Sequence, residues 1–157
     1  LTPPVVTPVV TNVTGVLTST AAVTKYELGV QAKKYPSRDN VKAKELFLEA
    51  FREGENSQPL LIEISKILLV YLNEEKFSDY VPLATSLVAI TQDPLIQIKL
   101  GDIYRRGKVG VPINLDEAKK WYELVEENKE PTTKKKDKDT AQKGLELINK
   151  AQQNLIV

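Results

Sequence analysis

Three residue types are missing from this chain of 157 residues: it has no cysteine, no histidine and no methionine. Without cysteine there is neither a disulfide framework nor thiolate chemistry, an absence compatible with an oxidising or a reducing compartment. Without histidine as well, most zinc, copper, haem and iron–sulfur sites are excluded, leaving only carboxylate sites for hard cations. No cofactor is expected. Charge of one sign is not in excess either. Lys and Arg number 22 against 21 Asp and Glu, a net charge of +1, which gives no electrostatic reason to expect a nucleic-acid binder or a membrane-surface binder. Long hydrophobic runs are lacking too: the apolar run from Ile67 to Leu72 is bounded by Lys66 and Asn73, far short of the roughly 18 apolar residues of a spanning helix. The chain as given is expected to be soluble. Because it starts at Leu1 and has no Met, a processed product with its leader removed is expected.

Signatures of catalysis are also sparse. The acidic pairs Glu74-Glu75, Asp116-Glu117 and Glu126-Glu127 could in principle do acid–base work. They fall at predicted helix ends on polar faces, where solvation and the helix dipole explain them, and no activated nucleophile or oriented base accompanies them. Gly107-x-x-Gly110 lacks the Lys-Ser/Thr of a phosphate loop. The run Lys134, Lys135, Lys136 and Lys138 is diluted by Asp137 and Asp139 and reads as a solvated loop. Asn12-Val13-Thr14 matches a glycosylation sequon by pattern alone. The expectation is a protein that is not an enzyme.

What the chain does contain is a length suited to one domain and a change of texture near residue 20. Residues 1–24 carry no charged side chain and hold seven Thr, seven Val and three Pro. Proline blocks helix while Val and Thr favour extended backbone, so residues 1–19 read as an extended tail or tether. The same Val/Thr composition would suit an arm that pairs with a neighbouring subunit.

From residue 20 the pattern is helical. A first helix carries Ala22, Tyr26, Leu28, Gly29 and Ala32 and must end near Tyr35, before Pro36. Oxygens from Ser37 to Asn40 cap a second helix whose apolar face is Val41, Ala43, Leu46, Phe47, Ala50 and Phe51, closed by Gly54. The third, with Pro59 in its first turn, is apolar on nearly every side, which predicts the most central position. A fourth runs from about Phe77 to Thr91; Pro82 fits only its first turn, so its start falls as late as Asp79 to Val81. Asp93-Pro94 starts a fifth helix with Leu95, Ile98, Leu100, Ile103 and Tyr104, ended by Gly107. Asn114 and Glu117 have capping-box spacing for a sixth, with Ala118, Trp121, Tyr122 and Val125 inward and a frayed end near Asn128. After a charged loop over 131–138, Asp139 opens a seventh helix with Ala141, Leu145, Ile148, Ala151 and Leu155 on one face.

Laid over one another, these helices repeat. Leu28-Gly29 and Leu100-Gly101 lie 72 residues apart, twice 36, and the midpoint is Ile64-Ser65, an aliphatic-small pair. A period of about 34 to 40 residues is the signature of stacked helical hairpins. In the second helices Ala43 precedes Leu46-Phe47 as Ala118 precedes Trp121-Tyr122. Together Leu100-Gly101, Tyr104, Gly107, Val111, Asp116, Ala118 and Trp121-Tyr122 resemble a Sel1-like repeat, a member of the tetratricopeptide-repeat superfamily. The resemblance covers about residues 20–128 and is fullest in the third unit; the second lacks the Gly and the Ala-x-x-aromatic pattern. It implies an all-α fold, a right-handed stack of three helical hairpins (about 20–55, 56–92 and 93–130) with a C-terminal capping helix at about 139–155. Gly29 and Gly101 would let the paired helices approach closely, beside Tyr104 and Trp121.

In such stacks the first helix of each hairpin lines the concave face. Carried over, this implies partner-binding positions at Tyr26, Val30, Lys33 and Lys34 in the first unit, Ile62, Lys66 and Leu69 in the second, and Ile98, Asp102, Arg105 and Arg106 in the third. Such a groove, apolar with a basic end, suits a protein or peptide segment with apolar anchors and acidic groups or a terminal carboxylate. The implied function is a non-catalytic protein–protein scaffold or adaptor. The uncharged tail resembles the spacer after a signal peptide or lipid-anchor site, as in Sel1-like envelope lipoproteins that organise secretion or polysaccharide export. A periplasmic or outer-membrane-associated location and a membrane tether through the missing leader follow as expectations, with a cytoplasmic location as the alternative.

Overall fold

A computed structural model describes residues 23–34, 38–73 and 80–156 and places seven α-helices and no β-strand in them. The expected tail over 1–19 lies outside the described residues, as do Glu74 and Glu75. No described helix is long and apolar enough to cross a membrane. The chain divides into two compact units, Leu1–Asn56 and Ser57–Val157.

The first unit is a hairpin of α1 (Lys25–Lys33) and α2 (Asn40–Arg52). Thr24 caps α1 by accepting the Glu27 N–H at 3.1 Å, and Asp39 caps α2 through Lys42 N–H at 2.9 Å. These bonds satisfy N–H groups that the first turn of a helix leaves without partners. Gly29 is buried beneath the Phe47 ring: a Cβ there would lie 2.6 Å from a ring carbon. Tyr26 packs on the same ring with centroids 5.6 Å apart, and Lys25 ties α1 to Glu49 at 2.7 Å and to Glu53. These two hydrogen-bonded carboxylates, Glu49 first, hold the Lys25 ammonium above its ordinary pKa. Val41, expected on the apolar face, is instead 70% exposed.

The second unit holds α3 (Gln58–Tyr71), α4 (Val81–Thr91), α5 (Pro94–Arg106), α6 (Leu115–Glu127) and α7 (Lys135–Ile156). α3 packs against both α4 and α5 through Leu60, Ile64 and Leu68, which are fully buried. α3 is expected to be the most central helix because it is apolar on nearly every side, yet two of its aliphatics, Ile62 and Val70, are about half exposed. α4 starts at Val81, the late end of the expected range, with Pro82 in its first turn where no helical N–H is lost. Its last residue hands over to Gln92 in the left-handed region, φ 53°.

α5 and α6 form a hairpin built like the first unit. Asp93 accepts the Leu95 N–H and Asn114 accepts the Glu117 N–H at the two N-termini. Gly101 lies beneath the Tyr122 ring, where a Cβ would approach to 2.7 Å. The rings that fill the gap above the glycines are therefore Phe47 and Tyr122, and not Tyr104 and Trp121. The inner face of α6 is Ala118, Trp121, Tyr122 and Val125, all buried. α7 packs on α6 and α5, with Ala141, Gly144 and Ile148 buried. Gly144 packs on the hydroxyl-bearing end of the same Tyr122 ring, so one aromatic side chain contacts glycines of two helices. α7 also begins four residues earlier than expected and absorbs much of what reads as a charged loop. Its N-terminus is stabilised by Asp137, whose carboxylate accepts the Lys134 N–H at 2.9 Å, the reach-back half of a capping box.

Candidate partner-binding site

The eleven residues inferred to bind a partner fall into three environments. Tyr26, Val30, Lys33 and Lys34 belong to the first unit, where Tyr26 is committed to Phe47 and Lys33 Nζ sits 5.9 Å from the Phe47 ring centroid, within cation–π range. Ile98 is not a groove residue: it is 8% exposed and belongs to a core cluster with Ala118, Tyr122, Val125, Ala141 and Ile148. Asp102 and Arg105 face the hairpin interior. The Tyr122 hydroxyl donates to Asp102 and accepts from Arg105 Nε at 3.1 Å. A phenol left among apolar side chains without such partners would be costly, which explains why these two charged residues turn inward. Burial, aided by the Asp102 acceptor, pushes the Tyr122 pKa up to about 12. Arg106 is exposed.

Ile62, Lys66 and Leu69 do come together, on one face of α3 at helical spacing, and line an open cleft of about 510 Å³ within the second unit. The cleft is also lined by the start of α5 (Asp93, Pro94, Leu95), by Glu130 and Thr132, and by Lys134, Lys136 and Asp137 at the start of α7. Ile62 and Leu95 are 48% and 47% exposed there, an aliphatic pair accessible from solvent.

The loop that closes the cleft is fixed by Asn128, which is 4% exposed. Its amide donates to Gln92 O at 2.7 Å and to Gln97 Oε1 at 3.0 Å, and its carbonyl accepts the Glu130 N–H at 2.9 Å. Three hydrogen bonds join three segments at once, so the chain leaves α6 at a set angle and brings Glu130 and Thr132 to the cleft. Reading the sixth helix as frayed near Asn128 missed this. No periodicity reveals a bond between residues 31 and 36 positions apart.

Six charged side chains line the cleft, three lysines and three carboxylates, but they are not equally available. Asp93 and Asp137 accept backbone N–H groups at the starts of α5 and α7, where each offsets the positive end of a helix dipole. Lys66 meets Glu63 only at 3.7 Å and is 69% exposed, a pair of little energetic weight. Lys134 and Lys136 are exposed and have no salt-bridge partner among the described residues. The arrangement offers apolar contact and cationic groups for recognition. No protein family, curated protein or solved structure matches this chain.

Proposed function

We propose that the protein is a non-catalytic interaction scaffold whose cleft along α3 receives an extended segment of a protein partner. The observation that carries this reading is the cleft of about 510 Å³ with Ile62 and Leu95 half exposed inside it, a volume in the range of sites that bind small ligands or side chains. Completing the burial of those two aliphatics is worth about 2 kcal/mol. Micromolar binding needs about 8 kcal/mol, so hydrogen bonds and the lysines must supply the remainder, and the partner is recognised by polar groups as much as by its apolar anchors.

In the same reading the chain is a Sel1-like member of the tetratricopeptide-repeat superfamily, with the hairpins stacked right-handedly. The matched packing of Gly29 under Phe47 and Gly101 under Tyr122 supports this, since the two glycines follow a leucine in the first helix of each hairpin and the two rings each stand four residues after the alanine, Ala43 or Ala118, of the second. Its place in a bacterial envelope assembly of the secretion or polysaccharide-export kind rests on the uncharged Thr/Val/Pro tail.

A photocrosslinking side chain introduced at Ile62, with a second variant carrying it at Val41 in the first unit, tests the reading in the native cell. Both positions are exposed. Discrete protein adducts are expected at Ile62 and not at Val41. Equal adducts at both, or none at Ile62, would overturn the assignment of the cleft.

A further inference from the structure

We infer that α7 is a working wall of the cleft as well as a cover for the core: Lys134 and Lys136 select partner segments that place a carboxylate beside an aliphatic side chain. This rests on the reading of the cleft as a peptide site and adds the chemistry of the occupant. The two lysines belong to the run that looks like a solvated loop in the sequence. In the fold, however, Lys134 and Lys136 line the same cleft as Lys66, Ile62 and Leu95.

Two further observations favour an acidic occupant. Of the three carboxylates lining the cleft, Asp93 and Asp137 are engaged by backbone N–H groups, while the ammonium groups of Lys134 and Lys136 remain unpaired among the described residues. Formal charges balance in number, but the groups free to meet a ligand are mostly cationic. The placement of the lysines is also unfavourable for the fold itself. Lys134 stands at the N-cap position and Lys136 in the first turn of α7, where the helix dipole disfavours positive charge. A cation at a position that weakens its own helix, facing a cleft with accessible aliphatics, matches the trade of stability for recognition seen at binding sites. An acidic group would be drawn to the lysines by charge-assisted hydrogen bonds, and its aliphatic neighbour would cover Ile62 or Leu95.

The test is a selection from a phage-displayed library of random peptides of about twelve residues, long enough to span the cleft in extended form. The full chain is immobilised as wild type, as Ile62→Asp and as the double variant Lys134→Glu/Lys136→Glu. The double variant is expected to fold at least as well as the wild type, because negative charge suits a helix N-terminus, and a thermal melt checks this directly. Peptides enriched on the wild type and lost on Ile62→Asp are expected to be rich in Asp or Glu next to Leu, Ile or Val. In fluorescence anisotropy they should bind the double variant about tenfold or more weakly, with affinity falling as salt is raised. Cleft-dependent peptides without acidic enrichment, or with unchanged affinity for the double variant, would overturn the inference and leave the peptide site standing. Failure to enrich any peptide that depends on Ile62 would overturn both.

Discussion

A methyl group added at Gly101 would place its carbon 2.7 Å from the Tyr122 ring, and one at Gly29 would lie 2.6 Å from Phe47, both well inside van der Waals contact. Neither ring is free to retreat, because both side chains are fully buried. Gly101→Ala and Gly29→Ala should each lower stability by about 1–3 kcal/mol through overpacking, as read from urea titration; wild-type midpoints would show that the helices do not meet there. Tyr122 carries a second prediction at this scale. Its pKa is raised to about 12 by burial and by Asp102, so the folded state keeps the phenolic proton where the unfolded chain loses it. The associated stability is fully present below about pH 10, the value of an unperturbed phenol, and is lost as pH rises towards about 12. Urea titrations across that interval should show a shallower decline for Tyr122→Phe than for the wild type, even though the variant loses about 1 kcal/mol at neutral pH with its hydrogen bonds.

At the scale of the element, helix ends separate what is written locally from what is not. Asp39, Asp93 and Asn114 cap their helices through N–H groups two or three residues away, so their sequence neighbourhoods suffice to place them. Asn114→Ala should cost about 1 kcal/mol. Ser57 stands at the N-cap of α3 without a side-chain bond, and Ser57→Ala should be nearly neutral in the same denaturant titration. The start of α7 escapes this kind of reading because a lysine, which accepts no hydrogen bond, occupies the N-cap position while Asp137 reaches back from inside the helix. The inner face of α6 is legible because four buried residues alternate with charges at helical spacing. α3 offers no such contrast: its sides are nearly all aliphatic, and only the packing of α4 and α5 decides that Ile64 and Leu68 are covered while Ile62 stays open. For the same reason two of the third unit's inferred groove residues, Asp102 and Arg105, prove to serve Tyr122, a partner that lies on another helix 20 and 17 positions away.

At the scale of the whole molecule, the division at Asn56 and Ser57 leaves every residue that lines the cleft in the second unit. A fragment of residues 57–157 is of a size that can sustain its own core. It should unfold cooperatively on heating and bind the peptides selected on the intact chain with affinity within a few fold; a molten fragment, or a folded one without binding, would mean that the cleft requires the first unit. Within this unit the ring of Tyr122, in contact with Gly101 on one helix and Gly144 on another, sets the distance at which α7 stands. Lys134 and Lys136 ride on the start of that helix. A substitution at Gly144 would therefore widen or tilt the proposed binding surface while leaving every residue that lines the cleft unchanged. Under the proposed function, partner preference could drift in evolution from a hidden position, and a comparison of lining residues alone would not detect the change.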